Sequence, residues 1–295
     1  MGAIAVVVNA GSKSGGRPDL AEGIASAFAA HETVPSVLMV SGAEVRDAAV
    51  RALQDGASAI VAGGGDGTVS TVASVLAGTS VSLGILPLGT LNHFARDLGI
   101  PQDLDPAVQT ILAGHAATVD VGEVNGRYFV NNASLGVYAR LVWEREQQQL
   151  AGRAKWRALI VGAMRVWRNY RRTHVIVNNG EQSRVVLTPF VFVGNNEYEL
   201  EGSNVGRRPR LTGGRLQVCI APQMTRMELV RLIAGAFTGH IQGADHFESL
   251  SATECSIRPR STRLGVSLDG ELSVLATPLL FRTRPGMLRV LVPAA

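Results

Sequence analysis

The sequence contains little cysteine, almost no lysine and no long apolar run. Its two cysteines, Cys219 and Cys255, are far apart and form no CxxC pair, so they cannot by themselves make a zinc site. We expect two reduced, partly buried thiols, as is usual in a cytoplasmic protein. No apolar run approaches the ~18 residues of a membrane span, and the first residues lack the basic start and apolar stretch of a signal peptide. These absences argue against a zinc-binding, secreted or membrane-spanning protein.

The composition supports a folded core and gives only a mild positive charge. Of the 295 residues, 46% are hydrophobic and 18% are charged, which excludes global disorder. This length is enough for one large or two modest domains. The 28 basic and 24 acidic residues give a net charge of +4, and lysine occurs only at Lys13 and Lys155.

The first third of the chain alternates short apolar runs with helical patterns. Residues 4–8 form a β-branched run without a polar break, which is typical of a strand buried on both faces. The predicted strands are 4–8, 37–40, 59–62 and 81–86, and the predicted helices are 20–28, 45–53, 69–76 and 91–98. This alternation predicts an α/β fold with a doubly wound parallel sheet, whose ligands bind at the carboxyl ends of the strands. We place this α/β domain at residues 1–118.

After about residue 119, short strand patterns dominate. They are found at residues 128–130, 174–177, 185–193, 216–220, 262–267, 279–281 and 288–292. Such spacing predicts a mostly antiparallel second domain, a β-sandwich, at residues 119–285. A helical segment at 140–172 interrupts it, and the last strand, at about 286–295, is expected to return to the first domain.

The strongest local motif is the run Gly63-Gly64-Gly65-Asp66-Gly67-Thr68 between a strand and a helix. Glycines let backbone N–H groups approach an anion closely, and the N-terminus of the following helix favours negative charge. A carboxylate beside phosphates requires a cation, so Asp66 suggests Mg²⁺, bound directly or through water. The alternative is a tight turn in which Asp66 or Thr68 caps the helix. The number of glycines favours a phosphate-binding loop.

Four motifs in order resemble a known family. They are Asn9-Ala10-Gly11-Ser12-Lys13, Gly64-Gly65-Asp66-Gly67-Thr68, the segment from Pro87-Leu88-Gly89-Thr90-Leu91-Asn92 to Pro101, and Asp269-Gly270-Glu271. The sequence resembles the diacylglycerol kinase catalytic-domain family, which includes bacterial lipid kinases and sphingosine kinases. The motifs extend over nearly the whole chain, and their order makes the resemblance more specific than any one of them.

The resemblance implies a role for each motif. The residues that would bind ATP are Asn9, Ser12, Lys13, Ser41, Gly64, Gly65, Gly67, Thr68 and Thr90. Glu271 would be the general base that takes the proton from a lipid hydroxyl. Asp66 would belong to a network of carboxylates, water and magnesium with Asp120 and Asp269, so Asp66 and Asp269 join Glu271 among the catalytic candidates.

The residues themselves leave an alternative open at Asp269-Gly270-Glu271. Phosphoryl transfer needs positioned groups and one carboxylate near the attacking oxygen, which Glu271 would supply. The alternative is an ordinary hairpin turn. Three departures from the family pattern stand out: Lys13 replaces a usual Gly, His93 replaces a usual Asp, and Gly213 replaces an Asp that relatives use for a structural metal.

The segment 140–172 gathers the positive charge. It holds nine basic residues, two acidic residues and all three tryptophans, so its net charge is +7 and the rest of the chain carries −3. An apolar stripe at helical spacing comprises Trp156, Leu159, Ile160, Ala163 and Trp167. A tryptophan-bearing basic helix suits a membrane surface with anionic headgroups. The alternative is a helix packed on the sheet with its arginines in water.

Taken together, the sequence predicts an ATP- and Mg²⁺-dependent lipid kinase that meets its lipid at a membrane surface. Two alternatives remain open: a soluble kinase of the NAD kinase type, and a non-catalytic regulator that binds nucleotide or lipid. Nucleic acid is not an expected partner, because no known binding motif is present. The sequence leaves open which lipid is phosphorylated and whether the chain forms a homodimer.

Overall fold

The computed structural model describes residues 3–12, 19–136, 173–178, 183–199, 206–220, 225, 227–228 and 248–294. Lys13 and the basic segment 140–172 lie outside these residues. Within them, the strands form one ten-stranded sheet and one six-stranded antiparallel sheet. No helix in this part of the chain has the length and apolar character needed to cross a membrane.

The N-terminal part of the ten-stranded sheet is parallel. Its strands are β1 (Ile4–Asn9), β2 (Ser36–Val40), β3 (Ala59–Gly64) and β4 (Ser82–Pro87), in the order β2-β1-β3-β4. The helices are α1 (Leu20–Ala29), α2 (Val45–Gln54), α3 (Asp66–Leu76), α4 (His93–Asp97) and α5 (Leu104–Ala113). α1 packs against α5, and α2 packs against α3. This is the doubly wound arrangement that the sequence predicted, with its topological switch point between β1 and β3.

The remaining strands build the second half of the molecule. They are β5 (Ala116–Val124), β6 (Arg127–Phe129), β7 (Asn132–Gly136), β8 (Thr173–Asn178), β9 (Ser183–Thr188), β10 (Phe190–Asn195), β11 (Leu216–Ile220), β12 (Glu248–Ala252), β13 (Glu254–Arg258), β14 (Arg263–Leu268), β15 (Glu271–Ala276) and β16 (Leu279–Leu291). The six-stranded sheet has the order β12-β11-β10-β7-β14-β15. Its inner face packs on Phe129 and Phe281 of the other sheet. The predicted antiparallel β-domain is therefore confirmed.

The long strand β16 belongs to both halves. Its first residues pair with β13, Val290 pairs with Leu83 of β4, and its other edge pairs with β5. The register shifts between Arg284 and Leu288, where Pro285 and Gly286 interrupt the ladder. The sequence pattern predicted two short strands here, because a Pro-Gly pair normally marks a turn. In the structure the pair makes a bulge, and the strand continues.

A second difference concerns residues 185–193, which the apolar pattern joined into one strand. The structure divides them at Pro189 into β9 and β10, which lie in different sheets. Proline lacks the N–H group that a central strand needs, so the chain leaves one ladder there and enters the other. As expected, Cys219 and Cys255 are free thiols, and both are buried.

Candidate active site

The site lies where β1, β3 and β4 end, at the switch point of the sheet. Asn9 closes β1, and its side-chain Oδ1 accepts a hydrogen bond from Gly11 N at 2.9 Å. The same side chain donates through Nδ2 to Thr68 Oγ1 at 3.2 Å. Asn9 therefore ties the loop after β1 to the first turn of α3. Thr68 is buried, and its hydroxyl accepts this hydrogen bond from the Asn9 side chain.

The glycines of the loop after β3 allow backbone segments to approach closely. A Cβ atom on Gly64 would lie 2.4 Å from Thr68 Oγ1, and one on Gly89 would lie 2.4 Å from the Cα of Gly65. Both distances are far below van der Waals contact, so no larger residue fits without moving the chain. The loops after β3 and β4 thus touch backbone to backbone, and α3 begins at the carboxyl end of β3, where the crevice of an α/β sheet binds ligands.

Asp66 does not cap its own helix. The N-cap position of α3 is Gly65, which makes no side-chain cap. Instead, Asp66 Oδ1 accepts a hydrogen bond from Phe94 N at 3.1 Å and so caps α4, a turn further along the site. The second carboxylate oxygen of Asp66 makes no hydrogen bond within the described part of the chain. It is the oxygen that could hold a cation.

Asp269 and Gly270 form the turn between β14 and β15, with φ angles of +46° and +93°. The Asp269 carboxylate is enclosed: Ser70 Oγ and Val130 N donate to Oδ2, while Asn131 N and Asn132 N donate to Oδ1. Burial raises the pKa of Asp269, and these four donors offset part of the increase. Asp269 is therefore a clasp that fixes the turn to α3 and to β7.

Glu271 begins β15 and lies over the first turn of α3. Its Oε1 is 3.7 Å from the Cβ position that a side chain at Gly67 would occupy, and Thr71 Oγ1 lies 3.5 Å from the same oxygen. Desolvation raises the pKa of Glu271 and the Asp269 carboxylate raises it further, whereas Arg46 and Thr71 lower it. The motif forms a hairpin turn and also places Glu271 over α3. The hairpin interpretation and the general-base interpretation of the sequence are therefore compatible.

Three other predicted residues lie at the rim of the site. Ser41 begins a short 3₁₀ turn, where its hydroxyl donates to Glu44 Oε2 at 2.7 Å in a capping box. Ser12 N donates to Asn9 O at 3.0 Å, which closes the turn after β1. Thr90 is exposed on the loop after β4, and His93 is exposed at the first residue of α4.

Both carboxylate oxygens of Asp120 accept hydrogen bonds from backbone amides. Its Oδ2 accepts from Gly214 N at 2.7 Å and its Oδ1 from Gly286 N at 2.9 Å. Gly213, which stands where the family pattern has an Asp, donates through its backbone N to Asn196 Oδ1 at 2.9 Å. This hydrogen bond holds the loop in the absence of that carboxylate. Among the residues that the structure describes, no three His, Cys, Asp or Glu side chains are grouped to hold a metal. A metal at this site would depend on Asp66 and on ligand phosphates.

One residue beside the site was not singled out from the sequence. Arg208 is buried to 2% exposure between the two halves. Its Nε donates to Asp97 Oδ2 at 2.8 Å, and its Nη2 donates to Asn131 Oδ1 at 2.7 Å. Only a hint was available beforehand, namely an arginine followed by Pro209 in a segment without periodicity.

Comparisons with known proteins agree with this geometry. The family model of the diacylglycerol kinase catalytic domain matches residues 3–124, and that of the YegS C-terminal NAD kinase beta sandwich-like domain matches residues 132–292. A solved structure of a diacylglycerol kinase from Bacillus anthracis str. Sterne has a TM-score of 0.68 at 19% identity, over 99% of this chain and 97% of that chain. At this identity, the likeness shows the fold.

Two relatives place the chain among lipid kinases. It is 41% identical over 118 residues to a protein named as a YegS-like lipid kinase of Klebsiella pneumoniae (strain 342), a match that covers 39% of this chain and only 40% of that protein. It is 30% identical over 221 residues to the diacylglycerol kinase of Bacillus subtilis (strain 168), covering 72% of this chain and 70% of that protein. With one family model matched over more than half of the chain and a relative matched over most of both sequences, this protein belongs to the family of diacylglycerol kinases and YegS-like lipid kinases.

Proposed function

We propose that the protein transfers the γ-phosphoryl group of ATP to a hydroxyl of a diacylglycerol- or sphingoid-like lipid, with Glu271 as the general base. One observation carries the proposal. The Glu271 carboxylate, supplied by the second half of the molecule, lies 3.7 Å from the Cβ position of Gly67 in the first turn of α3. A carboxylate and a helix N-terminus that favours anions therefore lie at the same end of the sheet.

The donor side of the reaction follows from the backbone. The amides at the start of α3 point along the helix axis toward the crevice and favour phosphate oxygens. Asn9 and the contact between Gly65 and Gly89 fix these amides in place. Mg²⁺ bound with ATP would neutralise phosphate charge, and Asp66 would hold it through the carboxylate oxygen that does not cap α4. The exposed Thr90 and Ser41 stand at the rim on the same side.

The acceptor side depends on Glu271. Burial and the neighbouring Asp269 carboxylate raise the pKa of Glu271, which makes it a better proton acceptor than an ordinary glutamate. As the lipid hydroxyl oxygen forms its bond to the γ-phosphorus, the bond from that phosphorus to the bridging oxygen of ADP breaks. The hydroxyl proton passes to Glu271, and ADP leaves with the electron pair. Asp269 keeps the turn rigid during this step and takes no proton, because its oxygens are already fully hydrogen-bonded.

A single labelling experiment tests the proposal. The chain is incubated with radiolabelled ATP and Mg²⁺, and with liposomes that carry diacylglycerol, ceramide, sphingosine or monoacylglycerol, beside soluble NAD. Label in a lipid is expected. Label in NAD would instead indicate a soluble kinase of the NAD kinase type, and bound ATP without transfer to any acceptor would indicate a regulator.

Replacing the base separates chemistry from binding. Glu271→Gln preserves the size and the polar contacts of the side chain but removes the proton acceptor. The variant is expected to lose transfer while it binds ATP as the parent does, as measured by calorimetry. Transfer near the parental rate would remove Glu271 as the base.

The membrane contact belongs to the same proposal and depends on the sequence of segment 140–172, with its net charge of +7. Replacing the arginines around its tryptophan stripe by glutamine should weaken cosedimentation with anionic liposomes and leave ATP binding unchanged. Unchanged cosedimentation would assign membrane contact to another part of the protein.

A further inference from the structure

Arg208 makes a set of contacts that its burial alone does not explain. Its side chain has no exposed surface, and its partner Asp97 is 9% exposed. The guanidinium lies 5.7 Å from the centre of the Phe94 ring and 5.4 Å from that of Tyr198, within the range of cation–π attraction. All three nitrogens of its planar group donate to oxygens of the surrounding chain.

On one side, Arg208 holds the helix that follows the phosphate-binding loops. Its Nε donates to Asp97 Oδ2, and its own backbone N–H lies 3.5 Å from Asp97 Oδ1. Asp97 and Phe94 both belong to α4, and Phe94 N is the group that Asp66 caps. The guanidinium is therefore one helical turn away from the carboxylate that would hold the cation.

On the other side, Arg208 holds the segment that fixes the base. Its Nη1 donates to Val130 O, and its Nη2 donates to Asn131 Oδ1. The backbone amides of Val130, Asn131 and Asn132 are the donors that enclose Asp269, two residues before Glu271. Tyr198 also contacts this segment, because its hydroxyl donates a hydrogen bond to Asn131 O at 2.8 Å. Burial raises the pKa of Tyr198 to about 12, so the hydroxyl keeps the proton that it donates.

We infer that Arg208 and Asp97 are positioning residues that set the distance between the phosphate-binding crevice and the Glu271 base. This inference rests on the proposed function. The contacts form one continuous path: Asp66 to α4, α4 to Arg208, Arg208 to residues 130–131, and from there through Asp269 to Glu271. Neither residue touches the reacting atoms.

Physical reasons favour positioning over mere stability. A buried ion pair is often no more stabilising than apolar residues of similar size, because both charges lose their hydration. An apolar pair cannot fix the relative positions of the groups around it. The rigid guanidinium group can, because it donates hydrogen bonds to three acceptors from both halves of the molecule at once. An ammonium group keeps the charge but cannot reach all three acceptors in one plane.

The test compares Arg208→Lys with a control variant that is destabilised in another part of the fold. Arg208→Lys is expected to lower kcat for lipid phosphorylation about 100-fold, the usual cost of misplacing reacting groups by about 1 Å, while the KM for ATP stays unchanged. Phe28→Leu, in the buried face of α1, removes core packing far from the path and should lower the melting temperature without lowering kcat. Asp97→Asn should show the same split between kcat and KM as Arg208→Lys.

Amide hydrogen exchange gives a readout that does not need activity. In Arg208→Lys, peptides that cover residues 127–136 and 263–276 should exchange faster together with the peptide of α4, whereas Phe28→Leu should leave all three unchanged. Parental kcat in Arg208→Lys, or equal loss of kcat in the control, would overturn the inference. If the parent labels no lipid, the proposed function fails, and coupled exchange still decides whether Arg208 links the two sides.

Discussion

Gly89 offers the sharpest test of the loop geometry. A Cβ atom there would lie 2.4 Å from the Cα of Gly65 and 2.6 Å from Asn92 Oδ1. The first neighbour is backbone and cannot rotate away, and the second is the side chain that accepts from Gly89 N at 3.1 Å. Since ordinary contact begins near 3.4 Å, Gly89→Ala must separate the loops after β3 and β4 by about 1 Å.

The expected effect of this shift falls on the nucleotide. A displacement of about 1 Å at the amides that we propose bind phosphate should lower kcat about 100-fold and weaken ATP binding as well. Overpacking of this kind also costs about 1–3 kcal/mol of unfolding free energy. Calorimetric titration measures the change in ATP affinity, and steady-state kinetics at saturating lipid measure the change in kcat. Urea unfolding measures the change in unfolding free energy.

Gly23→Ala is the matched control. Gly23 lies within α1, and a Cβ atom there would meet nothing within 4 Å. Alanine in a helix interior should raise the unfolding free energy by about 0.5–1 kcal/mol with no change in ATP affinity. Parental ATP affinity and kcat in Gly89→Ala would refute the idea that close backbone contact shapes the site.

Three further predictions follow from the carboxylates and the thiols. The raised pKa of Glu271 places the acid limb of the pH profile of kcat/KM above pH 4.5. Arg46→Ala should move this limb to higher pH, because Arg46 lowers the pKa of Glu271. An unmoved limb would show that Arg46 does not act on Glu271. In Asp269→Asn, the side-chain NH₂ group would face N–H and O–H groups that are themselves donors. The unfolding free energy measured by urea titration should therefore fall by about 1–3 kcal/mol, and an unchanged midpoint would show that Asp269 does not stabilise the turn. Burial raises the pKa of Cys255 to about 12 and also raises that of Cys219, so both thiols should resist a disulfide reagent at pH 8 and react only after denaturation; rapid native labelling would count against this burial.

The part of the site that could be predicted is the part that lies close together in sequence. The alternation of strand and helix placed the glycine run at the end of β3, because local periodicity decides both elements. The same motif contains Asp66, and the short Asp269-Gly270-Glu271 run, through the family resemblance, pointed to Glu271 as the proposed base. The role of Asp66 as a cap for α4 was not predicted, since the capping pattern pointed to its own helix.

The part that could not be predicted depends on contacts between distant segments. Ser70 and Asp269 are separated by 199 positions, and Asp97 and Arg208 by 111. No local rule links such residues, so the expected roles of Asp269 and Asp120 came from the family resemblance alone, and they stay predictions. The structure adds that Asp269 fixes the turn before Glu271, and that the Asp120 oxygens accept hydrogen bonds from the amides of Gly214 and Gly286.

The shared strand β16 has a consequence for the order in which the protein can be made. Glu123 and Arg284, which pair across β5 and β16, are 161 positions apart. Until residues 279–291 leave the ribosome, the parallel sheet lacks the neighbour of β4, and β5 has an open edge. The nascent N-terminal half must therefore wait, partly paired, through the synthesis of the whole second half, and closing so long a loop makes folding slow. A chaperone that shields open strand edges would act during that interval.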